Sequence, residues 1–329
     1  MTEATGVAGL EIVSGTRFVH IEDCRVRTEE RLEQRRQRFA SQLFDEDSAV
    51  VLTGSWGRRE MSSESDDDYM VLFAGKRRRD ARPTVTEAAG VLEAKAPGRE
   101  AVFGKQVWLG DLLRKIGRDQ DTNANLTRRM LLLLESVSVS GAEVHTRARR
   151  RLLEEYLRSH KDYRPPRFLL NDVVRYWRTI AVDFESKMRD RKGQGWGLRN
   201  AKLRLSRKVL FAGGLLPVLE CHRYPASGML DYLDAALARR PLDRIADAFM
   251  THRAIDPAIR TLTAYDEFLG ILSDPEKRRH LDALEIQHGG ESALFARVVE
   301  LGRDFEAGLL ALLFDDPALQ RWVRDYLIF

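Results

Sequence analysis

Three consecutive aspartates stand directly before an apolar segment. The stretch GSWGRREMSSESDDDYMVLF runs from Gly54 to Phe73 and ends in the strand-like run YMVLF. On an extended chain, residues two apart point to the same face, so the carboxylates of Asp66 and Asp68 are predicted to lie side by side while Asp67 points away. Two such carboxylates ionise together at low cost only when a cation lies between them. Magnesium suits this need, because it prefers oxygen ligands and is often held by carboxylates together with substrate phosphates.

A glycine–serine pair, Gly54-Ser55, lies upstream of the aspartates, at the end of the strand-like run AVVL. Glycine lets the backbone turn close to a bulky ligand. The serine hydroxyl and neighbouring backbone N–H groups could hold the phosphate oxygens of a nucleoside triphosphate. For Arg58 and Arg59 two roles stay open, assistance in phosphate binding or pairing with the aspartates. We count Gly54, Ser55 and Arg58 as the candidate nucleotide-binding residues of this stretch.

The two motifs together resemble the active-site signature of the polymerase-β-type nucleotidyltransferases. The chain fits the pattern G-[GS]-x-G-R-x-E-x4-S-D-x-D over Gly54–Glu60 and Ser65–Asp68. That pattern is typical of a branch that includes the PII uridylyltransferases. The resemblance implies that Asp66 and Asp68 bind a pair of Mg2+ ions and that Ser55 contacts the triphosphate.

The middle position of the D-x-D motif departs from this family. It is usually apolar, whereas here it is Asp67. Two interpretations remain open. Asp67 is either an outward-pointing charge that is tolerated at the edge of a strand, or an additional member of the metal site.

Two later stretches strengthen the resemblance. DTNANLTRRMLLLLES, from Asp121 to Ser136 and followed by Gly141, resembles the D…LLE(S) helix of uridylyltransferases. GWGLRN, from Gly195 to Asn200, resembles their G-G-L-R-D segment, with a tryptophan and an asparagine as departures. The resemblance covers about residues 30–210, and the remaining C-terminal part adds nothing to it.

Members of the family usually carry a third acidic residue on a later strand, where it completes the metal ion that activates the acceptor hydroxyl. By this resemblance Glu100, which opens the predicted third strand, is the candidate third catalytic and metal-binding carboxylate. An alternative alignment places Gln106 there, although a glutamine supplies no negative charge, and Asp111 is a third option. Glu100 also fits the simpler interpretation of a solvated charge at a strand end.

A basic helix face later in the chain is a second candidate for phosphate binding. Arg199, Lys202 and Ser206 are spaced i, i+3 and i+7, so they share one face of a predicted helix. Free N–H groups and the helix dipole near a helix start favour anions. We therefore predict that this face holds the β- and γ-phosphates, with an exposed basic face as the alternative.

Composition narrows the class of protein. The chain has 329 residues, 43% of them hydrophobic and 32% charged, with a formal net charge of +4. These values indicate a globular protein with enough chain for two domains. The two cysteines form no CxxC motif and the seven histidines no HxxxH pair, which argues against a zinc site. We expect a cytoplasmic protein without a membrane segment or a signal peptide.

The hydrophobic pattern predicts an α+β fold. By the resemblance, residues 1–145 form a small mixed-sheet nucleotidyltransferase domain and residues 146–329 an all-helical substrate-binding domain. The first 20 residues look loosely structured, and one helix is predicted at Leu198–Ala212 before a break at Gly213-Gly214. Strands are predicted at Ala49–Leu52, Tyr69–Phe73 and Glu100–Leu109.

These features predict a magnesium-dependent nucleotidyltransferase that moves a nucleoside monophosphate from a nucleoside triphosphate (NTP) to an acceptor hydroxyl and releases pyrophosphate. A protein side chain or a small molecule is the favoured acceptor. An RNA end or a second nucleotide is an alternative, as is a catalytically inactive NTP-binding regulator. The sequence leaves the oligomeric state open.

Overall fold

The structure of the chain is a computed structural model that describes residues 5–40, 46–62, 65, 67–75, 82–92, 103–190 and 193–328. By their internal contacts the residues form two compact units. The sheet unit comprises Arg25–Asp172 and Cys221–Arg240, and the helical unit comprises Met1–Cys24, Val173–Glu220 and Pro241–Phe329. Each unit is therefore built from separated segments. The single domain boundary near residue 145 stays a prediction.

Within the described ranges, the strands of the sheet unit form one mixed sheet in the order β3-β2-β1-β4. β1 pairs antiparallel with both β2 and β4, and β2 pairs parallel with β3. This small mixed sheet, accompanied by many helices, confirms the predicted α+β class. The strands are β1 (Ser48–Leu52), β2 (Tyr69–Phe73), β3 (Lys105–Trp108) and β4 (Val137–Ser140).

Helices make up most of the described chain. None of those within the described ranges has both the length and the hydropathy of a membrane-spanning helix. In chain order they are α1 (Gly6–Ser14), α2 (Val19–Ala40), α3 (Ser55–Arg58), α4 (Arg82–Leu92), α5 (Leu109–Arg114), α6 (Asn123–Leu134), α7 (Ala142–Tyr156), α8 (Arg167–Asp190), α9 (Trp196–Arg204), α10 (Ser206–Glu220), α11 (Ala226–Ala238), α12 (Pro241–Thr251), α13 (Ile255–Ser273), α14 (Pro275–Ala283), α15 (Ala293–Asp315) and α16 (Pro317–Val323).

The two central strands are apolar because both of their faces are covered. Every residue of β1 and β2 is buried, as expected for strands that pack on both sides. Tyr69, Val71 and Phe73 of β2 point to one face and share a core with Leu32 of α2 and Leu92 of α4. The alternate residues of β2 point to the opposite face.

The first helix corrects the prediction of a loosely structured N-terminus. α1 begins at Gly6, whose N–H donates to Asp247 Oδ1 of α12 over 2.6 Å. The next N–H, that of Val7, donates to Asp243 Oδ1 over 3.2 Å. Two N–H groups at the start of this helix are thus satisfied by side chains from far along the chain. The glycine-rich sequence gave no local sign of this capping.

The predicted helix at Leu198–Ala212 is two helices. Leu205 has φ −123° and ψ −75°, which ends α9 and lets α10 start at Ser206. The predicted break at Gly213-Gly214 is also wrong, because both glycines lie inside α10. A Cβ at Gly213 would lie 2.8 Å from Pro241 Cα, so the glycine allows α10 and α12 to approach closely.

A buried polar network anchors α6 in the sheet unit. Arg129 is fully buried and donates to both carboxylate oxygens of Asp121, over 2.7 and 2.6 Å. Its Nη2 also lies 3.0 Å from Asp172 Oδ2, and its Nε donates to the hydroxyl of Tyr156 over 2.9 Å. That hydroxyl in turn donates to Asp172 Oδ2 over 2.6 Å. Burial disfavours the charged form of Arg129, but these partners outweigh it and raise its pKa above the ordinary value.

We predict that Arg129→Met lowers the free energy of unfolding by about 3–5 kcal/mol, because it leaves two buried carboxylates without their counter-charge. Urea unfolding followed by circular dichroism measures the change. The control is Arg151→Ala on α7, whose side chain is 65% exposed in its pair with Glu154 and whose loss is expected to cost at most about 1 kcal/mol. Equal effects of the two substitutions would contradict the assignment.

In the helical unit, the imidazole of His252 lies between two carboxylates. Its Nε2 is 2.5 Å from Glu220 Oε1 and its Nδ1 is 3.1 Å from Asp316 Oδ2. The hydrogen bond to Glu220 is the main cause that raises the pKa of His252, and burial acts against it. Asp316 also caps α16 by accepting from the backbone N–H groups of Ala318 and Leu319. Protonated His252 therefore joins the end of α10 to the start of α16.

A raised pKa in the folded state means that folding takes up a proton at His252. Its stabilisation is therefore complete below the unfolded pKa, near 6.5, and is lost as pH rises through the folded pKa. We predict that unfolding free energies measured from pH 5.5 to 8.5 fall less steeply for His252→Gln than for the wild type. The control is His288→Gln, which makes the same change at an exposed position outside this ion pair. Parallel curves for His252→Gln and the wild type would contradict this role.

Candidate functional site

The glycine–serine turn follows β1 directly. Gly54 has φ 67° and ψ −131°, a conformation open almost only to glycine, and it precedes the short helix α3. The preceding Thr53 extends the pairing of β1 with β2, since its N–H and its Oγ1 donate to the carbonyl oxygen of Asp68 over 2.8 and 3.2 Å. The turn and the end of the acidic triplet are thereby held side by side.

The carboxylate of Asp68 lies against the turn. A Cβ built on Gly54 would be 3.2 Å from Asp68 Oδ2 and 3.9 Å from Asp68 Cβ. The missing side chain at Gly54 therefore leaves the space that this carboxylate borders. The structure brings together these two predicted site residues, which are separated along the chain.

Asp67 is turned to the other side of the strand. Its Oδ1 accepts from Trp56 Nε1 over 2.9 Å, and its Oδ2 accepts from Arg35 Nη2 over 2.9 Å. Trp56 belongs to the same buried core as Tyr69, on the face that α2 covers. Because residues two apart in an extended chain share a face, Asp67 lies on the same face as Tyr69. Asp68 lies on the opposite face. These contacts direct Asp67 away from the Gly54 turn, but into a mostly buried ion pair with α2 rather than outward to solvent.

Of the other candidate metal ligands, the structure describes Gln106 and Asp111. Asp66 and Glu100 lie outside the described residues. Gln106 pairs with Val71 across the parallel strands, so it shares the face of Val71 rather than that of Asp68. Asp111 lies on α5 and accepts from Arg114 Nη2 over 2.7 Å. Among the described side chains, no group of three or more His, Cys, Asp or Glu could hold a metal ion.

The hydroxyl of Ser55 has a weak partner. Its Oγ donates to the sulfur of Met61 over 3.1 Å, and the residue is partly exposed. A thioether is a poor hydrogen-bond acceptor. A phosphate oxygen at the turn would therefore compete easily for this hydroxyl.

Arg58 belongs to a buried ion-pair network. Its Nε donates to Glu60 Oε2 over 2.7 Å and its Nη1 to Glu135 Oε2, and all three side chains are at least nine-tenths buried. Glu135 lies in the stretch DTNANLTRRMLLLLES, so the guanidinium joins the glycine motif to that stretch. These contacts give Arg58 a supporting position next to the turn. The neighbouring Arg59 pairs instead with Glu29, over 2.7 Å.

The second glycine of the motif is needed for close packing. A Cβ on Gly57 would overlap the carbonyl group of Glu135 and would lie 2.8 Å from the backbone nitrogen of Ser136. α3 therefore rests directly on the chain between α6 and β4.

The predicted phosphate-binding face is divided between two helices of the helical unit. Arg199 and Lys202 lie on α9, whereas Ser206 begins α10 beyond the non-helical Leu205. Ser206 is 4% exposed and its Oγ accepts from the hydroxyl of Tyr265 over 3.4 Å. The prediction of one shared helix face is wrong for Ser206. A phosphate contact of the other two residues stays a prediction.

Two residues that contact the acidic triplet were not predicted from the sequence. Arg35 and Trp56 bind Asp67, and neither was a candidate residue. The signal for Trp56 was its place inside the glycine motif. Arg35 is one of several arginines on the charged helix α2, and no local sequence feature distinguishes it from the others.

The packing at Gly57 gives a stability prediction. We expect Gly57→Ala to lower the free energy of unfolding by about 1–3 kcal/mol or more, because the methyl group meets backbone atoms that cannot move aside cheaply. The control, Gly90→Ala, lies at an exposed position of α4 where a Cβ meets no atom within 4 Å. It should raise stability by roughly 0.5–1 kcal/mol through helix propensity. Urea midpoints measure both changes, and shifts of the same sign would contradict the prediction.

Comparisons of the chain with protein-family models, with curated proteins and with solved structures found no match. What the site can do therefore follows from its own residues and their contacts.

Proposed function

We propose that the chain is a magnesium-dependent nucleotidyltransferase that moves a nucleoside monophosphate from an NTP to an acceptor hydroxyl. The observation that carries the proposal is the carboxylate of Asp68 against the Gly54 turn, on the face of the strand from which Asp67 is withdrawn. An acidic group beside a tight glycine turn is a suitable place for a cation that also binds phosphate.

The residues of the site fit a magnesium ion chemically. Asp68 offers carboxylate oxygens, which are ligands that Mg2+ prefers. In the proposal Asp66 and Glu100 provide further carboxylates. Bound Mg2+ would polarise the phosphate oxygens and neutralise charge that develops on them. Asp67 is not needed as a ligand, because both of its oxygens already accept hydrogen bonds.

The protein groups at the turn act on the triphosphate. Ser55 exchanges its weak contact with Met61 for a phosphate oxygen. The open side of Gly54 lets the phosphates approach the backbone, where a side chain would exclude them. Arg58 keeps the short helix in place through Glu60 and Glu135. These interactions orient the α-phosphorus for attack.

In the reaction, the acceptor hydroxyl oxygen forms a bond to the α-phosphorus. The bond from that phosphorus to the oxygen that bridges to the β-phosphate breaks, and pyrophosphate leaves with the bonding electrons. The hydroxyl proton passes to a base, for which Glu100 is the candidate. A protein side chain or a small molecule is the proposed acceptor, and an RNA end is the alternative that the experiment below includes.

The proposal is tested with purified protein, Mg2+ and each of the four α-labelled NTPs in turn, with and without a cell lysate as the source of acceptor. Pyrophosphate release and transfer of label are followed together. Label that appears on protein, on small molecules or on RNA identifies the acceptor class. Binding of NTP without pyrophosphate release under any of these conditions would instead indicate a nucleotide-binding regulator.

We predict that Asp66→Asn and Asp68→Asn each lower the transfer rate by about 100-fold or more, since each removes a charge that stabilises the reacting phosphates. Asp119→Asn, at an exposed position after α5, makes the same chemical change and should leave the rate within about two-fold. Thermal unfolding of all variants separates lost activity from lost fold. Full transfer by both Asp66→Asn and Asp68→Asn would eliminate the proposed mechanism.

A further inference from the structure

The chain segment that carries the acidic triplet is fastened to one face of α2. Met61 N–H donates to Thr28 Oγ1 over 3.0 Å, and Arg31 Nη1 donates to the carbonyl oxygen of Ser62 over 3.0 Å. Arg35 then binds the carboxylate of Asp67. The three helix residues are spaced i, i+3 and i+7, so they form one stripe along the helix. In order along the helix, the residues of this stripe contact Met61, Ser62 and Asp67.

The hydrogen bonds to Asp67 fix the orientation of its carboxylate as well as its position. Each carboxylate oxygen has a different donor, the indole N–H of Trp56 on Oδ1 and the guanidinium of Arg35 on Oδ2. Two donors on two oxygens define the plane of the carboxylate. The Asp67 and Arg35 side chains are only 13% and 20% exposed, so solvent screens this ion pair weakly.

We propose that Arg35, acting through Asp67, is a positioning residue for the carboxylate of Asp68. In an extended chain, holding the side chain of one residue on one face turns its two neighbours to the other face. Asp67 bound to α2 thus directs Asp68 toward the Gly54 turn. This inference rests on the proposed function, because it assigns Arg35 an effect on the metal ion that Asp68 would hold.

The charge balance points the same way. Three adjacent carboxylates repel one another. The guanidinium of Arg35 neutralises the middle one and draws it away from the turn. The negative charge of Asp68 then lies beside the Gly54 turn, where a cation would meet it.

The test measures metal binding directly, with Mn2+ alone as the probe and the electron paramagnetic resonance signal of the free ion as the readout. We expect Arg35→Gln to raise the dissociation constant for Mn2+ about 10-fold, a typical effect of losing a group that orients a metal ligand. Arg35→Lys, which keeps the charge but not the planar fork, should fall between Arg35→Gln and the wild type. The matched control is Arg36→Gln, next on the helix, where the side chain is 41% exposed and pairs with Glu33 over 3.8 Å.

Asp68→Asn in the same titration separates the possible failures. If Asp68→Asn loses Mn2+ binding while Arg35→Gln binds like the wild type, the positioning role of Arg35 is overturned and the proposed function stands. If the wild type binds no Mn2+, or Asp68→Asn binds as tightly as the wild type, the proposed metal site fails and this inference fails with it. Should Arg35→Gln not fold, Trp56→Phe removes the other donor to Asp67 and is expected to weaken Mn2+ binding in the same direction.

Discussion

The guanidinium of Arg58 is the interaction on which the geometry of the site depends. It lies between Glu60 and Glu135, and all three charges are buried. Removing one partner would leave an uncompensated charge in the interior, which a folded protein tolerates poorly. The network therefore fixes α3 against the chain that enters β4, where Gly57 already meets the backbone of Glu135. Because α3 follows directly from the Gly54 turn, the same network determines where the turn stands relative to β2.

The two described aspartates of the triplet point to opposite sides of the chain just before β2. Asp67 faces α2 and is satisfied by Trp56 and Arg35, whereas Asp68 borders the turn. Repulsion between neighbouring carboxylates is thus reduced by geometry and by one counter-charge. A triplet in a solvated loop would need neither contact. The buried indole and the mostly buried ion pair show that this segment is positioned by the interior of the sheet unit.

The local sequence pattern predicted those elements whose own residues show that they are buried. The apolar run of β2 was predicted at Tyr69–Phe73, where the structure has it. β4, with the sequence VSVS, was missed because its alternating serines are partly exposed and its run is short. α1 was missed because side chains of α12 cap it, and the break at Leu205 because the apolar pattern continues across it. For α1 the deciding contacts come from a distant part of the chain.

The same distinction applies inside the site. The motif residues predicted which chemical groups are present, and Gly54 and Asp68 do lie together. Their direction depends on residues outside the motif, because Thr28, Arg31 and Arg35 of α2 hold the segment between the turn and β2. A helix face whose polar side chains bind backbone and carboxylate groups of a neighbouring loop looks, in sequence, like any charged and solvated helix face. The residue types of a short motif state which chemical groups it carries, whereas the orientation of those groups follows only from the tertiary contacts of the elements around the motif.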